Sequence, residues 1–110
     1  MEYTDLEVWM HSRKLVKEIY LISDSFPQKE RFGLSDQIRR SAVSVPSNIA
    51  EGLGRQLKND SIHFFYISRG SLYELETQIY LAFDLNYIQK DLLENTLEMI
   101  GKQEAFKRVY

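Results

Sequence analysis

A chain of 110 residues with 44% hydrophobic and 27% charged content has the size and balance of one globular domain, so a single unit over residues 1–110 is expected. The absence of cysteine removes disulfides, thiol nucleophiles and zinc-thiolate sites together, and a net charge of −2 gives no overall electrostatic reason to bind nucleic acid or an anionic membrane. No run approaches the roughly 20 apolar residues of a membrane span, and the opening EYTDLEVW lacks the basic start and apolar core of a signal, so the expectation is a cytoplasmic protein without membrane contact.

Thr4 and Glu7 have capping-box spacing, and after them Val8, Leu15, Ile19, Ile22 and Phe26 recur at helical intervals, predicting helix one over Asp5–Ser25. FPQKERFG, with Pro27 and Gly33, is a connection. Leu34, Ile38, Ala42, Val45, Ile49 and Leu53 then form a stripe that runs straight through Pro46, predicting helix two over Leu34–Gln56. Asn59 is the expected N-cap of helix three, whose core stripe is Phe65, Leu72, Leu75, Ile79, Ala82 and Phe83. That helix should end near Asn86, a residue tolerant of left-handed backbone. Leu92, Leu93, Leu97 and Ile100 mark helix four, from Gln89 to Lys107. No useful β alternation is present, and the links are short. The predicted fold is all-α, an antiparallel up-down-up-down four-helix bundle with a proline kink in helix two.

Helices two and three carry more apolar surface than one core can use. Val43, Ala50 and Leu57 lie seven apart opposite the core stripe of helix two, and Tyr66, Tyr73, Tyr80 and Tyr87 lie seven apart beside that of helix three. Ile67, Leu81 and Leu85 should point to the far side of helix three. A tyrosine at the core margin is common on its own. Four in heptad register beside a doubled stripe point to subunit contacts. Pro46 deletes one backbone hydrogen bond and crowds the carbonyl of Ala42, at a cost of about 3 kcal/mol in a helix interior. The small polar residues Ser41, Ser44, Ser47, Asn48 and Gly52 around it permit close helix approach and local hydrogen bonding.

RFGLSDQIRRSAVSVPSNIAEGLGR, followed by GSLYELETQI, resembles the bacterial four-helix-bundle proteins first noted as reading frames within intervening sequences of 23S ribosomal RNA genes. The likeness runs from DLEVW through helix four. It extends to the accessory variability protein of diversity-generating retroelements, a pentameric barrel thought to engage reverse transcriptase and nucleic acid. The resemblance implies a homopentamer of bundles. It places one family motif on Ser44, Pro46, Ser47, Asn48, Ile49, Ala50, Glu51 and Gly52, and another on Gly70, Ser71, Leu72, Glu74, Leu75 and Glu76, with structural roles. Unlike the strongly basic retroelement relatives, this chain is slightly acidic.

Candidates for chemistry are few. Glu51, Glu74, Glu76 and the two histidines are the only catalytic candidates, and no Glu-x-x-His pairs of a di-metal bundle site are present. Asp60 with His63 has the nearest spacing, best explained by a helix-capping acid beside a surface histidine. Glu76 flanks the core stripe, and an ion pair with Arg39, Arg40 or Arg69 is expected to accompany it. Arg39, Arg40, Arg55, Lys58 and Arg69 are the candidate nucleic-acid contacts, should they gather on one side of an assembly. The expected function is a non-enzymatic, cofactor-free, homo-oligomeric accessory module that binds RNA, DNA or a nucleoprotein. The alternative is a protein-interaction scaffold without nucleic-acid contact.

Overall fold

In a computed structural model, which describes residues 2–106, the chain folds into four α-helices: α1 (Glu7–Asp24), α2 (Leu34–Leu53), α3 (Lys58–Asp84) and α4 (Lys90–Glu104). The predicted end of helix four at Lys107 lies outside the described residues. No strand occurs among the described residues.

The predicted stripes meet in one core. Val8, Leu15, Ile19 and Ile22 of α1, Ile38, Ala42, Val45 and Ile49 of α2, and Leu72, Leu75, Ile79 and Ala82 of α3 are buried together with Leu93 and Ile100 of α4. Apolar residues at helical spacing give each helix a stripe that only neighbouring stripes can hide from water, and this drives the helices together. Their order in space follows from polar ties. Ser68 Oγ donates to the Val45 carbonyl at 2.9 Å, Ser71 Oγ lies 2.7 Å from Ser44 Oγ, and Phe65 packs on Gly52, so residue numbers rise along α3 as they fall along α2. At one end of the bundle Phe26 packs on Tyr87, and at the other Gln103 Nε2 donates to the Val8 carbonyl, which sets α4 antiparallel to α1. The result is the up-down-up-down arrangement that the short links imply.

Helix starts differ from the prediction. The Thr4–Glu7 capping box does not form: Leu6 adopts extended backbone (φ −80°, ψ 134°) and divides a short 3-10 turn, Tyr3–Asp5, from α1. Leu6 and Trp9 pack against the core, so burial rather than a side-chain cap fixes this entry. Asn59 is likewise not the cap of α3, which starts one residue earlier, behind an extended Leu57. α2 stops at Leu53 rather than Gln56, leaving Leu57 beyond it in the turn to α3. The end of α3 is as expected, with Asn86 in the left-handed region at φ 65°.

α2 runs unbroken through Pro46. Side-chain donors gather on the carbonyls around it: Ser47 Oγ donates to Val43 O at 2.8 Å, Asn48 Nδ2 to Ser44 O at 2.8 Å, and Ser68 Oγ reaches Val45 O from α3. Two glycines have no room for a side chain: a Cβ at Gly52 would lie 2.4 Å from Cε1 of the buried Phe65 ring, and one at Gly33 would lie 2.7 Å from Glu30 Oε1. Small residues in the proline motif thus let α3 lie close along α2.

Candidate interaction surface

α3 has two apolar faces. Its inner face enters the core, and its outer face displays Tyr66, Tyr73 and Tyr80 at 63%, 54% and 47% exposure, flanked by exposed Ile67 and Leu81. Seven residues advance a helix by about 10.5 Å over nearly two turns, so the three rings stand in a row. Between Asp60 and Asp84 the exposed positions are His63, Tyr66, Ile67, Gly70, Tyr73, Glu74, Thr77, Tyr80 and Leu81, which include one carboxylate, Glu74, and no lysine or arginine. Scattered apolar residues on a surface are ordinary, but a continuous row is not. Gly70 lies in the middle of this row, and a Cβ built there meets nothing within 4 Å. The chain's own packing therefore gives no reason for glycine at this position.

Tyr87 does not continue the row. It falls beyond α3, packs on Phe26, and donates its hydroxyl to Glu30 Oε2 at 2.6 Å. Glu30 Oε1 also accepts the Leu34 amide at 3.1 Å, capping α2. The Tyr87 hydrogen bond, followed by the Leu34 amide, holds the Glu30 carboxyl below its ordinary value, and the same Glu30 bond pushes the Tyr87 phenol up. This connection was not legible in the sequence, since the two residues lie 57 positions apart.

On α2, Val43 is exposed and Ala50 half-buried on the outer side, as the heptad spacing predicted. Leu57 is exposed too, at 67%, but it sits in the turn and not on the α2 face. A groove opens between α1 and α2, with a hollow of about 580 Å³ bordered by Tyr20, Asp36, Arg39, Arg40, Val43 and Ser44. The sequence reading missed Tyr20 here because it lies off the core stripe of α1.

The basic residues do not gather. Arg39 crosses to α1, bonding Asp24 at 2.8 Å and Ser23 at 2.7 Å with its guanidinium over the Tyr20 ring. Arg40 pairs with Asp36, and Arg55 with Glu51 beside the Phe64 ring. Lys58 opens α3 at the turn, and Arg69 lies over Tyr66 midway along α3. From Arg40 to the end of α2 is about 20 Å of helix, so the five residues are strung along the bundle.

Glu76 is half-buried as expected, yet it belongs to none of the ion pairs among the described residues. Arg39 and Arg40 are engaged by nearer carboxylates, and Arg69 is two turns away on α3. The expected ion pair is therefore corrected. Glu74 is exposed at the rim of a polar cleft between α2 and α3 that also contains Ser41, Ser44, Ser71 and Gln78. Gln78 is buried, and its Oε1 has no hydrogen-bond partner in the structure. Of the histidines, His11 bonds Gln103 at 2.7 Å and His63 is exposed against Phe64. Among the described residues no group of three or more His, Asp or Glu side chains is placed to hold a metal ion. No helix there is long and apolar enough to cross a membrane.

The architecture and surface define a small all-α bundle whose distinguishing features are a proline-bearing α2 and an α3 that is apolar outside as well as inside. The family model described as 23S rRNA-intervening sequence protein matches residues 4–105, and the chain belongs to that family. No curated protein matches the sequence.

Proposed function

We propose that the chain is a homo-oligomeric accessory module, without catalytic activity of its own, that works as a protein-interaction scaffold. The single observation that carries this reading is the outer face of α3, a row of three exposed tyrosines whose nine exposed positions include one carboxylate and no lysine or arginine, with the Arg69 guanidinium lying over Tyr66. In water such a face costs free energy that burial against protein recovers at about 25 cal/mol per Å² of apolar area. Resemblance to the retroelement proteins suggests five copies. Light scattering coupled to gel filtration at micromolar concentration is the test: a mass several times 13.0 kDa is expected, and a 13.0 kDa species overturns the reading.

Nucleic acid or nucleoprotein contact is the second reading. What favours it is the turn at one end of the bundle, where Arg55 and Lys58 stand three residues apart and would be repeated around an assembly. Glu51 and Asp60 lie nearby and reduce the local positive charge. Phosphate contact must weaken steeply with salt, because each neutralised phosphate releases counterions. A gel-shift titration with single-stranded RNA across salt concentrations tests it. Absence of binding at low salt leaves the scaffold reading alone.

A further inference from the structure

We propose that the polar cleft between α2 and α3 binds an alkylammonium, a primary amine cation with its charged head against Glu74 and Gln78 and its stem along Tyr73 and Leu81. This goes beyond the scaffold reading, which concerns the apolar row of α3 and not the cleft beside it.

A buried, unpartnered oxygen marks the place for a donor. Gln78 is only 8% exposed, its Oε1 is buried without a hydrogen-bond partner, and its side chain borders the cleft. A carbonyl oxygen removed from water in this way lowers stability, and no group of the chain offsets the loss. The terminal torsion of a glutamine is soft, so a donor entering the cleft can draw Oε1 toward it. The buried serines of the cleft already use their protons inside the chain. Ser41 Oγ donates to the Gln37 carbonyl at 3.1 Å, and Ser71 Oγ donates to the Ile67 carbonyl at 3.0 Å or to Ser44 Oγ at 2.7 Å. What these two hydroxyls have left for a ligand is lone pairs.

Charge selects the class of donor. Glu74, at the rim, belongs to none of the ion pairs among the described residues, whereas Arg40 on the opposite wall is bonded by Asp36 at 2.9 Å and the two cancel. The uncompensated charge of the cleft is therefore negative, which disfavours an anion. Calcium takes six to eight oxygen ligands with several carboxylates among them, and Glu74 is the single carboxylate lining the cleft. A primary ammonium fits these walls, with one positive charge, three donors and no acceptor. The cleft, about 270 Å³, shares Gln37, Glu74 and Gln78 with a neighbouring hollow of about 390 Å³ bordered by Tyr73, Thr77 and Leu81. An alkyl stem leaving the head lies along that second hollow, over the ring and the leucine, as the stem of a lysine lies along apolar surface.

The probe is n-butylammonium chloride, titrated into the full chain while the side-chain amide of Gln78 is followed by NMR. A saturating shift is expected. Methylammonium should bind more weakly, by up to about fourfold for each methylene removed, the value for complete burial. Glu74→Gln, at an exposed position, is expected to weaken n-butylammonium about fivefold, and Glu98→Gln, exposed on α4, to leave it unchanged. Gln78→Leu removes the unpartnered oxygen, so it should melt no lower than wild type and yet bind at least about fivefold more weakly. A shift that does not saturate, or unchanged affinity in Glu74→Gln or Gln78→Leu, overturns the proposal. Unchanged affinity in the second would mean that Oε1 holds only a water. Should Gln78→Leu misfold, Glu74→Gln decides alone. Equal affinity for methylammonium and n-butylammonium overturns the placement of the stem. Spermidine and Nα-acetyl-lysine methylamide separate the two sources of such a group: tighter binding of spermidine assigns a free polyamine, and tighter binding of the lysine derivative assigns a protein side chain.

Discussion

α3 and α4 pack side by side and contribute the same kind of stripe to one core, yet their outer faces differ. α4 turns Lys90 toward Glu94 and Glu98 toward Lys102, at 4.0 and 3.9 Å, along a face finished for water. Exposed i, i+4 pairs of this kind contribute only about 0.3–0.5 kcal/mol each, so their value lies more in solubility than in stability. The outer face of α3 has tyrosines where α4 has charges. An inward stripe specifies a fold, and what a helix shows outward specifies whether the folded unit is complete. The same contrast divides the glycines: Gly52 is required by Phe65 within the chain, whereas Gly70 and Gly101 have empty space at their Cβ positions.

The largest expected effect breaks the inner half of this comparison. Gly52→Ala should destabilise the fold by about 1–2 kcal/mol, since overpacking a tight contact costs more than the gain of about 1 kcal/mol from replacing a helical glycine. Urea unfolding measures it. Combining Gly52→Ala with Phe65→Leu should cost less than the sum of the single changes, because both act on one contact.

Next come the two exposed glycines, which sharpen the outer half. By helix propensity Gly70→Ala and Gly101→Ala should each stabilise the isolated bundle by up to about 1 kcal/mol, with Gly101 gaining less because it lies in the last turn of α4. They should part company in assembly. Gly70→Ala is expected to weaken the oligomer on dilution, followed by light scattering, while Gly101→Ala leaves it unchanged. Equal behaviour would show that no close subunit contact forms at Gly70.

Pro46→Ala should stabilise the chain by well under the 3 kcal/mol expected for an interior helical proline. The carbonyl that loses its helical donor to Pro46 is that of Ala42, and Ser47, Asn48 and Ser68 donate instead to the next three carbonyls, Val43, Ser44 and Val45, fastening the turn in its present shape, so a new amide at position 46 recovers one bond in a turn already held. A thermal melt showing the full gain would mean that these bonds compensate for nothing.

Much of this was legible in the sequence. Four helices, their core stripes and the outward tyrosines follow from periodicity, because burial acts on whole faces and tolerates small errors of phase. Helix starts were misread at Thr4 and Asn59, where local capping chemistry competed with the burial of Leu6 and Trp9 and with an extended Leu57. The arginine cluster failed for another reason. Sequence proximity of Arg39 and Arg40 says nothing of where guanidiniums go, and those groups found Asp24 and Asp36. The bond from Tyr87 to Glu30 depends on how two loops meet, and no local pattern encodes that.

That bond supports the smallest and most conditional prediction, at the loop end of the bundle opposite the N-terminal turn. Glu30 titrates below its ordinary value of 4.5 because the Tyr87 hydroxyl and the Leu34 amide donate to its carboxylate. A depressed carboxyl contributes stability that is fully present above the unfolded value and disappears as pH falls through the folded one. Tyr87, raised above 10.0 by the same bond, contributes stability that is full below 10.0 and is lost as pH rises through its folded value. Tyr87→Phe keeps the ring against Phe26 and removes only the hydroxyl. The variant should therefore be less stable than wild type at neutral pH, with the gap narrowing as pH drops below 4.5, where Glu30 becomes protonated in the unfolded chain and then in the fold. Glu30→Gln should remove more than Tyr87→Phe, since it also replaces the charge at the start of α2. Urea midpoints measured from acidic to neutral pH distinguish the cases: a gap between wild type and Tyr87→Phe that does not change with pH would show that the hydroxyl acts through packing alone.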